Sequence, residues 1–289
     1  MKMTIDGREA YAYTGGKPVA GNRPAIVFIH GAQHDHSVWI LQSRYLAHHG
    51  VDVLAVDLPG HGRSAGPALA SIGDMSDWVA QCVRASGIGP AVLCGHSMGS
   101  LIALQCAATH PALAAGIALI GTAVPMKVSD ALLDAARNDE PRAFDMINAW
   151  SHATVNGRPG CPGPGFSIFV QNRRLMERQS PGVLFNDFAA CNAYDQGLEA
   201  ARALRCPALV VSGGRDMMTP PRAAKALVTA LSDTARAASL PPPQVEDIAG
   251  CGHALMAERP DAVLAALRRF TGSLDFARSA QPASASTSG

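Results

Sequence analysis

The chain has 289 residues, a formal net charge of +1 and 48% hydrophobic residues. That length can bury one large core, and the near-neutral balance removes the electrostatic reason to expect nucleic acid or an anionic membrane as partner. No run is apolar for long enough to span a bilayer, and the first nine residues lack the apolar centre of a secretory signal. The expectation is a cytoplasmic protein with no membrane segment.

Residues 2–5 and 9–13 alternate around Asp6-Gly7, a dipeptide that favours a tight hairpin turn. Residues 27–29 and 53–56 are continuous apolar strands, as inside a sheet covered on both faces. Helical periodicity over 39–49 lies between them. It recurs over 74–85, followed by a strand from Ala91, a helix over 100–108 and a strand over 117–120. Strands alternating with helices predict an α/β chain with a mostly parallel central sheet and helices on both faces. The alternation stops near Gly121 and resumes near Cys206. The intervening segment holds polar helical stretches, a Gly/Pro-rich run over 156–165, and Ser180-Pro181, which reads as a cap followed by a first-turn proline. Pro241, Pro242 and Pro243 form a stiff connector before the last strand. Residues from about 278 onward are too polar and small to offset the entropy of ordering, which predicts a disordered tail.

One segment carries chemistry. Ala91-Val92-Leu93-Cys94-Gly95-His96-Ser97-Met98-Gly99-Ser100 reads as a buried strand, Gly-x-Ser-x-Gly, then a helix. Gly95 and Gly99 let strand and helix approach closely, and Ser97 is lifted clear of the backbone at a helix N-terminus, where N–H groups favour a developing anion. A serine hydroxyl needs a neighbouring base. His253 follows the Gly-rich Ala249-Gly250-Cys251-Gly252. Asp216 stands just beyond the apolar run 208–211 and Ser212-Gly213-Gly214. The order Ser97, Asp216, His253 is the one used by α/β-hydrolases.

From about Gly21 to about Thr271 the sequence resembles the α/β-hydrolase superfamily. Besides the serine, aspartate and histidine segments, Ile26-Val27-Phe28-Ile29-His30-Gly31-Ala32 resembles the strand and His-Gly turn that supplies one oxyanion-hole N–H. Val51 through Leu58-Pro59-Gly60-His61-Gly62-Arg63-Ser64 resembles the next strand and its signature loop. The resemblance implies Ser97 as nucleophile, His253 as base and then acid, and Asp216 as the group that holds its tautomer. It implies an oxyanion hole from the N–H groups of Ala32 and Met98, with Gln33 as the alternative to Ala32. It also implies a helical lid over 123–205, splitting the core into 1–122 and 206–275, with 276–289 as the tail.

The lid aromatics and methionines Phe144, Met146, Trp150, Phe166, Phe169, Met176, Phe185 and Phe188 either line an apolar pocket or pack the lid onto the core. His30, Gln33, His96, Trp150 and Phe169 are the substrate-binding candidates. Asp57 and Asp247 are the rival acids. Cys251 is the rival nucleophile, although seven widely spaced cysteines (Cys82, Cys94, Cys106, Cys161, Cys191, Cys206, Cys251) read chiefly as reduced, buried thiols. His30, His34, Asp35 and His36 superficially match a metallo-hydrolase cluster, but Ala32 stands where its second histidine belongs, so no metal and no cofactor are expected. A serine in place of an aspartate argues against dehalogenase and epoxide hydrolase chemistry. The expected reaction is hydrolysis of a carboxylic ester or related acyl bond of a small, largely apolar substrate. Cleavage of a carbon–carbon bond in ring-cleavage products is one alternative, weakened by Ala254 after His253 and by Ala32-Gln33-His34 in the oxyanion loop. Cofactor-free perhydrolysis and a ligand receptor that retains the triad are the others. Oligomeric state is not readable from the sequence.

Overall fold

A computed structural model describes residues 1–153 and 167–276. The Gly/Pro-rich run over 156–165 with Cys161, Phe166 and the tail beyond residue 276 lie outside the described residues.

Eight strands form one sheet: β1 (Lys2–Ile5), β2 (Arg8–Tyr13), β3 (Ala25–Ile29), β4 (Asp52–Asp57), β5 (Ala91–His96), β6 (Ala114–Ile120), β7 (Ala208–Gly213) and β8 (Gln244–Ile248). Their spatial order is β1-β2-β4-β3-β5-β6-β7-β8. The hairpin forms as expected, Ile5 pairing with Arg8 across Asp6 and Gly7, both at positive φ. β1, β2 and β4 pair antiparallel, and every other neighbour pair is parallel. The fold is that of an α/β-hydrolase.

The helices are α1 (Ile40–His48), α2 (Ile72–Ser86), α3 (Met98–Thr109), α4 (Asp130–Asn138), α5 (Glu140–Ser151), α6 (Ile168–Glu177), α7 (Val183–Ala193), α8 (Gly197–Ala203), α9 (Lys225–Ala237), α10 (Leu255–Glu258) and α11 (Pro260–Gly272). Strand side chains alternate between the two faces. Val27, Ile29, Leu54, Val56, Leu93, Leu119 and Val210 pack with α2, α3, α8 and α9. Ile26, Phe28, Val53, Val92, Ala118 and Leu209 pack with α1, α10 and α11. Both faces are therefore dry, which explains the unbroken apolar runs of the central strands. α2 has a full set of end signals: Ser71 accepts from the Asp74 N–H at its start, and Gly87 closes it in the left-handed conformation.

The segment between β6 and β7 has a small core of its own, with Leu132, Ala135, Phe144, Ile147, Met176, Leu184 and Phe188 packing on Ala32 and Met218. Its flanks merge with the main core through Val124, Met126, Cys191, Tyr194, Ala200, Ala201 and Leu204. α7 begins at Val183, two residues after the expected start. Ser180-Pro181-Gly182 forms a turn, closed by the Val183 N–H on the Ser180 carbonyl, and left-handed Gly182 precedes the helix. Among the described residues no helix is long and apolar enough to cross a membrane.

β3 lies between β4 and β5. The chain leaves β3 toward one side of the sheet and returns to its other side, so the loops after β3 and β5 diverge and leave a crevice at the strands' C-terminal ends. Ile29 pairs with Gly95, which brings His30-Gly31-Ala32 beside His96-Ser97.

Candidate active site

Ser97 has φ 52° and ψ −121°, a region that non-glycine residues rarely occupy. Its N–H donates to Ile120 O at 2.9 Å, tying the turn to the neighbouring strand. The hydroxyl does not cap α3 and has no hydrogen-bond partner among the described residues. The two glycines are demanded by backbone, not by side chains. A Cβ on Gly95 would lie 1.9 Å from Gly99 O, and one on Gly99 would lie 2.3 Å from Ile29 O.

His253 and Asp216 meet from different loops. His253 Nδ1 lies 2.7 Å from Asp216 Oδ2, and both side chains are nearly or fully out of solvent. Asp216 is held by the N–H groups of Met218 and Thr219 on Oδ1, each at 2.8 Å, and by the Thr219 hydroxyl on Oδ2 at 2.8 Å. Burial opposes its ionisation, but the His253 charge and bond and the two Thr219 bonds outweigh that and bring its pKa down to about 2. A carboxylate can only accept, so His253 Nδ1 carries its proton toward Asp216, and Nε2 has no partner among the described residues. Gly121, with φ 57°, admits the ring: a Cβ there would sit 3.2 Å from His253 Cε1. Gly121 directly follows Ile120, the anchor of the Ser97 N–H, so Ser97 and His253 converge on the same end of β6. The deeply buried His96 reinforces this, its Nε2 lying 2.9 Å from His253 O. Burial, and then the His253 charge, holds the His96 pKa well below the usual value, so it stays neutral.

The loop after β3 is pinned from several sides. His30 is fully buried, Nδ1 lying 2.8 Å from Gly31 O, while Nε2 accepts the Leu58 N–H at 3.1 Å. In a trans peptide the C=O and N–H point opposite ways, so pinning Gly31 O aims the Ala32 N–H away from His30. Neither that N–H nor the Met98 N–H, the first of α3, has a partner among the described residues. The alternative donor is already used: the Gln33 N–H donates to Asp187 Oδ2 at 2.9 Å.

Two cavities open here. One of about 490 Å³ is lined by His34, His96 and His253, by apolar Ile40, Leu41, Ile168, Leu175 and Met256, and by Arg174 and Arg178. The other, of about 270 Å³, is lined by Ala32, Ser97, Leu132, Trp150, Phe188, Met218 and Thr219. Of the sequence-stated substrate candidates, His96 and Trp150 therefore lie on cavity walls. His30 and Gln33 do not. His30 is a post inside the loop, and the Gln33 side chain is buried and donates to Met176 O at 3.1 Å. Phe169 is absent from both walls and stacks on His152 with ring centroids 4.4 Å apart.

The rival residues are placed otherwise. Asp57 accepts from His36 N and Nδ1 and from the Arg63 N–H, and a Cβ on Gly62 would overlap it, so it organises its own loop. Asp247 sits at an exposed position on β8. Cys251 is fully buried, and burial pushes its thiol up to about 12, which leaves almost no thiolate. Ligand atoms of Asp35, His36 and Asp57 lie within 4.8 Å of one another. Asp35 is taken up by Ser37, Arg178 and Gln179 and Asp57 by His36 and Arg63, so the group is a set of internal hydrogen bonds. His34, read from the sequence as a loop residue beside the site, lies on a cavity wall, and sequence reasoning missed Thr219 and Asp187. Thr219 alone had a local signal, lying three residues after Asp216 where a side chain can turn back on the acid.

The profile of the alpha/beta hydrolase family matches residues 26–266. The chain belongs to that family. Among its relatives, the pimeloyl-(acyl-carrier protein) methyl ester esterase of Stenotrophomonas maltophilia is 30% identical over 275 residues, 91% of this chain and 98% of that protein. The (E)-2-((N-methylformamido)methylene)succinate hydrolase of Acinetobacter baylyi is 37% identical over 101 residues, 35% of this chain. This chain spans only 38% of that relative's length, and 32% and 51% of two others matched over short stretches. The enol-lactonase of Burkholderia xenovorans superposes with a TM-score of 0.79 at 23% identity, covering 94% of this chain and all of that one; this is likeness of fold.

Proposed function

We propose that the protein is a serine hydrolase that cleaves a carboxylic ester, or a related acyl bond, of a small and largely apolar substrate. The observation that carries this reading is the 2.7 Å His253–Asp216 pair beside a serine held at positive φ at the head of α3. Ser97 Oγ attacks the substrate carbonyl while His253 Nε2 takes its proton. Asp216 stabilises the imidazolium, and the N–H groups of Ala32 and Met98 hold the oxyanion. His253 then protonates the departing alcohol. Water attacks the acyl group on Ser97 by the same route, with His253 again as base. The absence of a Ser97–His253 hydrogen bond is compatible with this chemistry, since such bonds often tighten only when substrate is bound.

Two cavities, one lined by His253 and the other by Ser97, suit a substrate with two unlike parts, one for the acyl group and one for the leaving group. In this reading α4–α7 act as a lid that excludes water and sets the length of each part. The near full-length esterase relative supports ester chemistry, and the family supports hydrolysis. The deciding experiment is hydrolysis of p-nitrophenyl esters of graded acyl length by the wild type and Ser97→Ala. The expected result is turnover that falls by about 10⁴-fold or more in the variant. Equal turnover would overturn the assignment of Ser97. Wild-type cleavage confined to a dienoic ring-cleavage acid would move the chemistry to a carbon–carbon bond, and a few cycles per molecule at most would indicate a receptor.

A further inference from the structure

The Ala32–Gln33 peptide is gripped at both of its polar atoms. Its carbonyl oxygen, Ala32 O, lies 2.6 Å from His34 Nδ1. Its N–H, that of Gln33, donates to Asp187 Oδ2 at 2.9 Å. Gln33 itself stands at φ 57°, a left-handed conformation that a side-chain-bearing residue adopts only when its surroundings enforce it. Asp187 lies on α7, in the segment inserted between β6 and β7, and is 154 positions away along the chain. Its carboxylate is fully buried, and the same Oδ2 meets His61 Nε2 at 2.9 Å, also fully buried. His61 Nδ1 lies 3.0 Å from Pro59 O, which can only accept, so Nδ1 donates there. Oδ2 already accepts from Gln33. His61 thus donates through Nδ1 to Pro59 O and through Nε2 to the Asp187 carboxylate.

An ionic pair with no solvent contact stabilises little by itself and is replaceable by apolar packing of similar size. What it does here is geometric. One carboxylate joins the inserted helix to the loop after β4 and to the residue that follows the proposed oxyanion donor Ala32. His34 reaches the insert as well, its Nε2 lying 2.9 Å from Asn172 Oδ1 on α6. The insert thus touches both ends of the peptide that adjoins the oxyanion hole.

We propose that Asp187 is a positioning residue for the oxyanion hole. It holds the Gln33 N–H, and through it the aim of the Ala32 N–H, so that the hole is complete only while α7 is seated on the core. This rests on the serine-hydrolase reading above. Asp187 touches no substrate, and its removal acts on the transition state rather than on the resting complex.

The test uses the full chain and p-nitrophenyl esters, with Ser97→Ala measured alongside. Asp187→Leu removes the acceptor at similar size, and Asp187→Ala removes it with less steric demand. Whichever variant melts cooperatively is read. The expected result is a kcat about 10- to 100-fold lower with KM within about threefold, less than the loss of a whole oxyanion donor. Affinity for a boronic acid that forms a tetrahedral adduct on serine should fall by the same factor as kcat/KM, which a merely structural role would not produce. Asp187→Asn, which keeps one acceptor oxygen for Gln33, should recover most of the loss. Unchanged kcat in a folded Asp187→Leu or Asp187→Ala overturns the proposal, as does a rise in KM without a fall in kcat. So does a loss in kcat with undiminished boronic-acid affinity. Wild-type turnover that survives Ser97→Ala overturns the underlying reading instead, and the positioning role falls with it.

Discussion

Ser97 carries the clearest cost in the molecule. A non-glycine residue at φ 52° costs on the order of 1–3 kcal/mol. It persists because the N–H is tied to Ile120 O and because the glycines on either side leave no room for the turn to relax. Asp216 is the opposite case, a buried charge that is over-satisfied. Four donors converge on its two oxygens, and its pKa stands at about 2 despite the burial. Those donors also fix which nitrogen of His253 bears the proton. Asp216→Asn keeps the volume but offers an N–H where an acceptor is needed and favours the wrong tautomer. The expected fall in kcat is about 10³- to 10⁴-fold with the fold intact, measured by ester hydrolysis and circular dichroism. If Asp57→Asn or Asp247→Asn were the damaging change, the acid would be misplaced.

At the level of elements, the molecule is a sheet with an inserted helical segment fastened by buried polar bonds. α7 is amphipathic in an unusual sense, because Leu184 and Phe188 pack into the insert's core while Asp187, between them in sequence, reaches His61 and Gln33. Burial opposes the His61 cation, but the Asp187 charge, its hydrogen bond and the bond to Pro59 O outweigh it, so the pKa lies above the ordinary value of 6.5. His30 beside it, with ring centroids 4.9 Å apart, stays neutral. Burial, and then the His61 charge, brings its pKa down to about 4. A folded pKa raised above the unfolded one means that the stabilisation is complete below about pH 6.5 and is lost as pH rises through the folded value. The difference in urea stability between the wild type and His61→Gln should therefore be largest near about pH 6 and shrink as the pH is raised. A difference that grows with pH would show that the pair is not ionic.

For the whole molecule, burial governs thiol chemistry. Cys82, Cys94, Cys106, Cys191, Cys206 and Cys251 are all free and buried. Desolvation raises each thiol, Cys106, Cys206 and Cys251 to about 12. These six should resist a thiol reagent in the native protein and react together across the unfolding transition, as read by mass-spectrometric mapping of labelled sites against urea concentration. Fast native labelling of Cys251 would contradict the packing around it and revive it as a nucleophile.

The strand–helix alternation, the hairpin at Asp6-Gly7 and the Gly-x-Ser-x-Gly turn were all legible in the chain, because each is dictated by neighbours within a few residues. Hydrophobic period, turn chemistry and glycine spacing act locally. The order Ser97, Asp216, His253 was legible for the same reason, each residue standing just past a readable strand. Other features follow only from which loops the sheet order brings together at the β3–β5 crevice. Gln33 lost its place as an oxyanion donor because an aspartate 154 positions away takes its N–H. His30 and Phe169 left the candidate pocket because His30 is spent on the loop that Ala32 belongs to and Phe169 on stacking with His152. A local motif specifies which groups are offered, but the partner that each buried donor or acceptor finds depends on contacts remote in the chain. Only the tertiary structure sets those.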